Sequence, residues 1–251
     1  MPPKRKGVNK PSAPAKKAKP SEQKVETEGS SSSSSVANQD PIFFWRPQEV
    51  KTGYLSQWFA LPFRDREDPN KIYLTAEHYM MHHKALLFGD TEIAGSVLET
   101  RSPRDVRSLG RAVRGFDQDV WERERERIVT EGNWCKFTLP VVDDGDEDDE
   151  SKEDKGKGDG DGLRMWELGH GDDAETFRAA SFRDVLLATG NRELVEASAF
   201  DKIWGIGFAA KGAEGKRHKW GMNLLGKCLM EVREQFRKDA EATVAENNAD
   251  Y

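Results

Sequence analysis

Two charged residues seven positions apart, Glu77 and Lys84, are the first candidates for chemistry in this 251-residue chain. They lie in TAEHYMMHHKALLF, residues 75–88, a stretch free of Gly and Pro. It predicts three to four turns of helix, with Thr75 as N-cap and Gly89 as the closing glycine. On a helix, Glu77, Met80, Met81, Lys84 and Phe88 fall along one side. A carboxyl and an amine on such a side either pair at a solvated helix edge or share a pocket. In a pocket, burial raises the carboxyl's pKa until it can donate a proton. The same burial lowers the amine's pKa until it can attack a carbonyl carbon.

Two further segments carry groups that suit a flat, hydroxylated ligand. One is Asp201 with Trp204-Gly205-Ile206-Gly207; the other is Trp220-Gly221 with Asn223 at a helix start. Gly beside Trp lets backbone approach a ring closely, and indole stacks on a base or sugar face. Asn223 and the N–H groups of that helix start are candidates for phosphate or ribose hydroxyls. His78, His82 and His83 offer two imidazoles four apart without a third ligand at metal spacing, so they are read as flanking a pocket rather than holding zinc. No Walker A loop, Gly-x-Ser-x-Gly elbow or Cys-x-x-Cys occurs.

The elements that must position these residues follow from local signals. Residues 41–46 (PIFFWR) and 71–74 read as short strands. Asp90 caps a helix to about Glu99. Ser102-Pro103-Arg104-Asp105 starts another, which runs to about Arg111. Residues 120–129 (VWERERERIV) read as an exposed charged helix ended by residues 132–138. Residues 177–189 read as an amphipathic helix closed by Gly190, and 191–197 as a short helix or turn. Residues 207–219 read as a flexible basic loop. Residues 220–238 form the last long helix, with a frayed end beyond Ala240.

Composition places one domain at about 41–238. Residues 1–40 hold eight Lys and Arg against four acids and a serine run, and are expected to be a disordered tail. Residues 143–162 hold eleven acids against three lysines and are expected to be a disordered acidic insert without the EF-hand order of ligands. Set against the net charge of −6, the remainder is nearly neutral, so net charge gives no argument for broad nucleic-acid binding. Cys135 and Cys228 are too few for a disulfide framework, and no apolar run approaches a membrane span. A soluble, intracellular protein with no membrane partner is expected. Lys4-Arg5 and Lys16-Lys17-Ala18-Lys19 look like a bipartite nuclear import signal.

Five blocks in order then resemble one family: TAEHYMMHHKAL (75–86), SPRDVRSLGRAV (102–113), LLATGNRELVEAS (186–198), DKIWGIG (201–207) and WGMNLLGKCLMEVRE (220–234). They resemble the NADAR family, the NAD- and ADP-ribose-associated domain also called YbiA-like. The resemblance implies a compact, mainly helical α+β domain with a small sheet. It also implies an N-glycosidase that needs no metal or redox cofactor. Its substrate would be ADP-ribosylated guanine in nucleic acid or a ribosylamine phosphate of early riboflavin synthesis; a non-catalytic ADP-ribose reader is the alternative. By resemblance, Glu77 and Lys84 are the catalytic pair, and Arg111, Trp121, Asn133, Asp201, Trp204, Gly205, Gly207, Asn223 and Lys227 bind substrate. Ala199 and His82-His83 depart from the family's usual Pro and Gln-Ala.

Overall fold

The computed structural model describes residues 40–141, 164–168, 175–179 and 181–249. The expected basic tail, except for Asp40, and the expected acidic insert lie outside the described residues. The described elements are β1 (Ile42–Phe44), β2 (Phe63–Arg64), β3 (Ile72–Tyr73), α1 (Ala76–Leu87), α2 (Thr91–Glu99), α3 (Pro103–Arg111) and α4 (Gln118–Thr138). They continue with β4 (Arg164–Leu168), β5 (Glu175–Ala179), α5 (Phe182–Leu187), β6 (Leu194–Glu196) and α6 (Leu224–Ala249). Two 3₁₀ segments, Gly53–Leu55 and Glu214–Lys219, the second kinked at Lys216, complete them. This is a mainly helical α+β architecture with small two-stranded sheets.

Helix α1 lies at the centre, against α2, α3 and α4, while α4 also packs on α6. Its start differs in one detail from the expected N-cap. Thr75 has extended backbone, but its hydroxyl bonds the His78 ring at 2.8 Å rather than a backbone N–H. Gly89 ends the helix at φ +72°, a conformation that favours glycine. Asp90 caps α2 by accepting from the Ile93 N–H and also binds the Arg114 guanidinium. Ser102 caps α3, with Pro103 in its first turn.

Helix α4 corrects the expectation of an exposed helix stopped near Gly132. It runs unbroken for 21 residues and buries Trp121, Arg125, Ile128, Val129, Gly132, Asn133, Cys135, Lys136 and Phe137 among others. Its alternating Glu and Arg mask an i, i+3, i+4 apolar stripe. Gly132 continues the helix because it lies under Tyr79: a Cβ there would come within 2.5 Å of the ring. The buried rings interlock, with Tyr73 edge-on to Tyr79 at 4.9 Å and Phe137 stacked on Phe182 at 5.1 Å. Each such pair contributes about 1 kcal/mol beyond its buried area.

The C-terminal half departs further. The expected helix over 177–189 splits: Phe177 belongs to β5, antiparallel to β4, and α5 begins after Ser181, whose capping box with Asp184 resets the chain. Residues 194–196, expected as helix or turn, form strand β6, parallel to β1 with Ile42 opposite Leu194 and Phe44 opposite Glu196. The expected flexible loop contains the 3₁₀ turn Glu214–Lys219. Helix α6 starts later than expected, at Leu224, and reaches Ala249 instead of fraying at Ala240.

Candidate active site

The C-terminal ends of β1 and β6, one side of α1, the exposed side of α3 and the loop at 198–204 surround one cavity of about 750 Å³. From α1 come Glu77, Met80, Met81 and Lys84, one helical side as the spacing predicts. Helix α3 gives Arg104, Arg107 and Arg111, and Arg46 follows β1. Among the described residues none of these four arginines makes an ion pair, and all are exposed. Trp45, Trp58, Trp121, Trp204 and Phe200 supply ring surface.

Glu77 is 7% exposed, and its N–H donates to the Gln57 carbonyl at 3.0 Å. Burial pushes its pKa up to about 7; Asp201 adds to the rise, while Arg107, the Trp58 side chain and Arg111 oppose it. Lys84 donates to the Gly110 carbonyl at 2.7 Å and lies 4.3 Å from the Phe116 ring and 5.4 Å from that of Trp121. Burial lowers its pKa. The cavity thus joins a carboxyl that titrates near neutrality to an amine more easily deprotonated than an ordinary lysine. That pairing can stabilise a cationic sugar carbon, move a proton, or attack an aldehyde.

Of the residues expected to bind substrate, Arg111, Trp121, Asp201 and Trp204 line the cavity. The others do not, and their contacts say why. Asn133 is wholly buried, donating to the Gln57 side chain at 3.1 Å and to the Val129 carbonyl at 2.8 Å. It holds the Gln57 wall from behind. Gly205 lets the chain cross β6: a Cβ would lie 2.8 Å from the Glu196 carbonyl. Gly207 takes φ +73°. Lys227 is exposed on α6 away from the lining.

Asn223 differs most from its expectation as a phosphate or ribose ligand. It takes φ +51°, its Oδ1 accepts from the Glu196 N–H at 2.9 Å, and its Nδ2 donates to the Leu194 carbonyl at 2.9 Å. The N–H groups of residues 223–225 donate to the carbonyls of Gly205, Ile203 and Trp204. That helix start therefore presents no open anion site; it clamps the 201–207 loop to β6 and α6. Asp201 is partly a local peg too, accepting from the N–H groups of Ile203 and Trp204 at 2.8 Å each.

The histidines correct the expectation that they flank the pocket. His78 lies between the Thr75 hydroxyl and the Thr100 carbonyl, and His82 and His83 gather on Tyr73. None lines the cavity, and no cluster of metal-ligating side chains occurs among the described residues.

Sequence reasoning missed Glu196, Arg104, Arg107, Trp45 and Trp58. Glu196 ends β6 and lines the cavity with Glu77. Burial pushes its pKa up to about 8, helped by Asp201 and Glu77 and opposed by Arg107. The available signal was an acid directly after the apolar pair Leu194-Val195, recognisable only once that pair is read as a buried strand. Lys136 was missed as well. It is fully buried on α4, donates to the Tyr54 and Ser56 carbonyls at 2.6 and 3.0 Å, and so fixes the turn that carries Ser56, Gln57 and Trp58 into the cavity.

Comparison with known proteins gives a consistent result. The NADAR domain matches residues 43–237. An N-glycosidase of Acanthamoeba polyphaga mimivirus is 35% identical over 200 residues, covering 77% of this chain and 95% of that protein. An N-glycosidase of Nostoc punctiforme is 28% identical over 166 residues, covering 66% of this chain and 75% of that protein. The NMR structure of the E. coli protein YbiA shares the fold, with a TM-score of 0.51 at 22% identity, covering 82% of this chain and 89% of that one.

Proposed function

The chain belongs to the NADAR domain family, and on that premise we propose that it is an N-glycosidase that hydrolyses the bond between an anomeric ribose carbon and a nitrogen. The observation that carries this reading is the meeting of buried Glu77 and half-buried Lys84 in one cavity beside arginines that make no ion pair among the described residues. Cleaving a ribose–nitrogen bond builds positive charge on the anomeric carbon. A carboxylate at Glu77 stabilises that charge or takes the proton of an attacking water. In the covalent alternative, the sugar ring opens to an iminium at the anomeric carbon, Lys84 adds to that carbon, the base nitrogen leaves with a proton, and Glu77 relays protons as the resulting lysine Schiff base hydrolyses.

For the substrate we favour ADP-ribose linked to guanine. Four arginines on one cavity suit two phosphates better than one, since a guanidinium binds phosphate oxygens in pairs. Trp45, Trp58, Trp204 and Phe200 offer faces for the flat bases of such a molecule. A cavity of about 750 Å³ is within the usual range for a ligand of this size. Ribosylamino-pyrimidine phosphates, with a single phosphate and a single ring, use less of this surface.

Side-by-side turnover decides between them. Purified protein is incubated with ADP-ribosylated guanosine and, separately, with a ribosylamino-pyrimidine phosphate, and the freed guanosine or pyrimidine is followed by chromatography. Faster kcat/KM on the first is expected. Turnover of the second alone would transfer the reading to it. Binding of ADP-ribose without consumption of either substrate would identify a reader instead.

A further inference from the structure

We propose that Glu196 is a second catalytic carboxyl of this site, the group that protonates the departing nitrogen. The proposal rests on the N-glycosidase reading above. Hydrolysis of a ribose–nitrogen bond needs two proton movements: one onto the leaving nitrogen as the C–N bond breaks, one off the attacking water. Glu77 cannot hold its proton for the first and be ionised for the second at once.

The backbone holds Glu196 from both sides. Its N–H donates to Asn223 Oδ1 at 2.9 Å, and its carbonyl accepts from the Ile206 N–H at 3.0 Å. At the end of β6, Glu196 lines the same cavity as Glu77. Its Oε2 is enclosed and has no hydrogen-bond partner among the described residues. An ionised carboxylate with an enclosed, unpartnered oxygen is strongly disfavoured, and a proton removes the cost. The charged neighbours act the same way: Glu77 and Asp201 repel negative charge at Glu196, and only Arg107 opposes them. Glu77 has more support for its anion, from Arg107, Arg111 and the Trp58 side chain. Two carboxyls in one cavity are thereby divided, Glu196 toward the acid and Glu77 toward the base, a division that suits glycoside cleavage.

The step balances. The C–N electron pair leaves with the nitrogen, which takes the Glu196 proton. Water oxygen bonds to the anomeric carbon and gives its proton to Glu77. One proton then passes from Glu77 to Glu196 through solvent and resets the pair. In the Lys84 route, Glu196 supplies the same proton to the same nitrogen.

The test compares two leaving groups. Wild type and Glu196→Gln are assayed on ADP-ribosylated guanosine and on nitrophenyl ADP-ribose, whose nitrophenolate leaves without a proton. The proposal expects kcat on the guanosine substrate to fall at least ~100-fold, with a far smaller loss on the nitrophenyl substrate. The variant should also lose the alkaline limb of the wild-type pH profile. Equal losses on both substrates, or no loss on either, would overturn the role of Glu196 while leaving the glycosidase reading intact. Wild type inactive on both would overturn the ADP-ribosyl-guanine reading and the role of Glu196 in it together. If the variant does not fold, the wild-type profiles decide. An alkaline limb near pH 8 for the guanosine substrate and none for the nitrophenyl one supports the role; identical limbs overturn it.

Discussion

Replacing Asn223 by Ala separates a ligand-binding role from a structural one. The side chain makes two bonds to β6, accepting from the Glu196 N–H and donating to the Leu194 carbonyl, each at 2.9 Å. Asn223 is 6% exposed, and Leu194 is fully buried. Removing the amide leaves one backbone donor and one acceptor short of partners, at about 1–3 kcal/mol each. Ala at φ +51° adds roughly 1 kcal/mol of left-handed strain. Glu196 is only half-buried, so the lower part of the range applies and the sum is about 3–5 kcal/mol. For a chain of this size each kcal/mol shifts Tm by about 2–4 °C, so a fall on the order of 10 °C is expected. Asn223→Gly relieves the strain but not the lost bonds and should fall less. The assay is thermal unfolding by circular dichroism, with KM measured below the transition. A Tm unchanged in Asn223→Ala, together with a raised KM, would refute the clamp and restore Asn223 as a ligand.

Glu77→Gln should abolish turnover and stabilise the fold in a pH-dependent way. Glu77 titrates near 7 in the fold and near 4.5 when unfolded, so the unfolded chain binds fewer protons between those values and stability falls as pH rises through them. The stability advantage of Glu77→Gln over wild type should therefore be absent below pH 4.5, grow up to pH 7 and then level, reaching on the order of 3 kcal/mol; a flat difference would contradict the burial of Glu77. Lys84→Met should leave the fold intact but stop turnover, and cyanoborohydride with substrate should add mass at Lys84 only if the covalent route operates. Phe200 is 89% exposed at the cavity rim, so Phe200→Ala should raise KM severalfold with no change in Tm. Gly132→Ala should destabilise by about 1–3 kcal/mol as its methyl meets the Tyr79 ring, read as a lower midpoint in urea.

Helix α1 was legible in the sequence because its signals are local. The 3.6 period placed Glu77 and Lys84 on one side, Ser102-Pro103 marked α3, and Gly89 marked the end of α1. Strand β6 was not legible, because Leu194–Glu196 takes its form from pairing with β1, about 150 residues earlier. Without that pairing nothing in the order of residues brings Glu196 to Glu77. Helix α4 was misjudged because its Glu-Arg alternation reads as solvent-facing, whereas tertiary packing buries Arg125 and Lys136. Asn223 illustrates the converse. Its residue type suited a ligand role, but the cavity lies elsewhere and both its amide atoms serve β6. The resemblance to one family gave the set of residues; only the packing sorted those that face the cavity from those that hold its walls.

The most direct measurement is mass spectrometry of an ADP-ribosylated guanine oligonucleotide after incubation with the purified protein. Loss of the ADP-ribose mass with wild type, and its retention with Glu77→Gln and with Lys84→Ala, is the result predicted. An oligonucleotide left intact by wild type, or stripped equally by both variants, would contradict the claim that this cavity cleaves that bond.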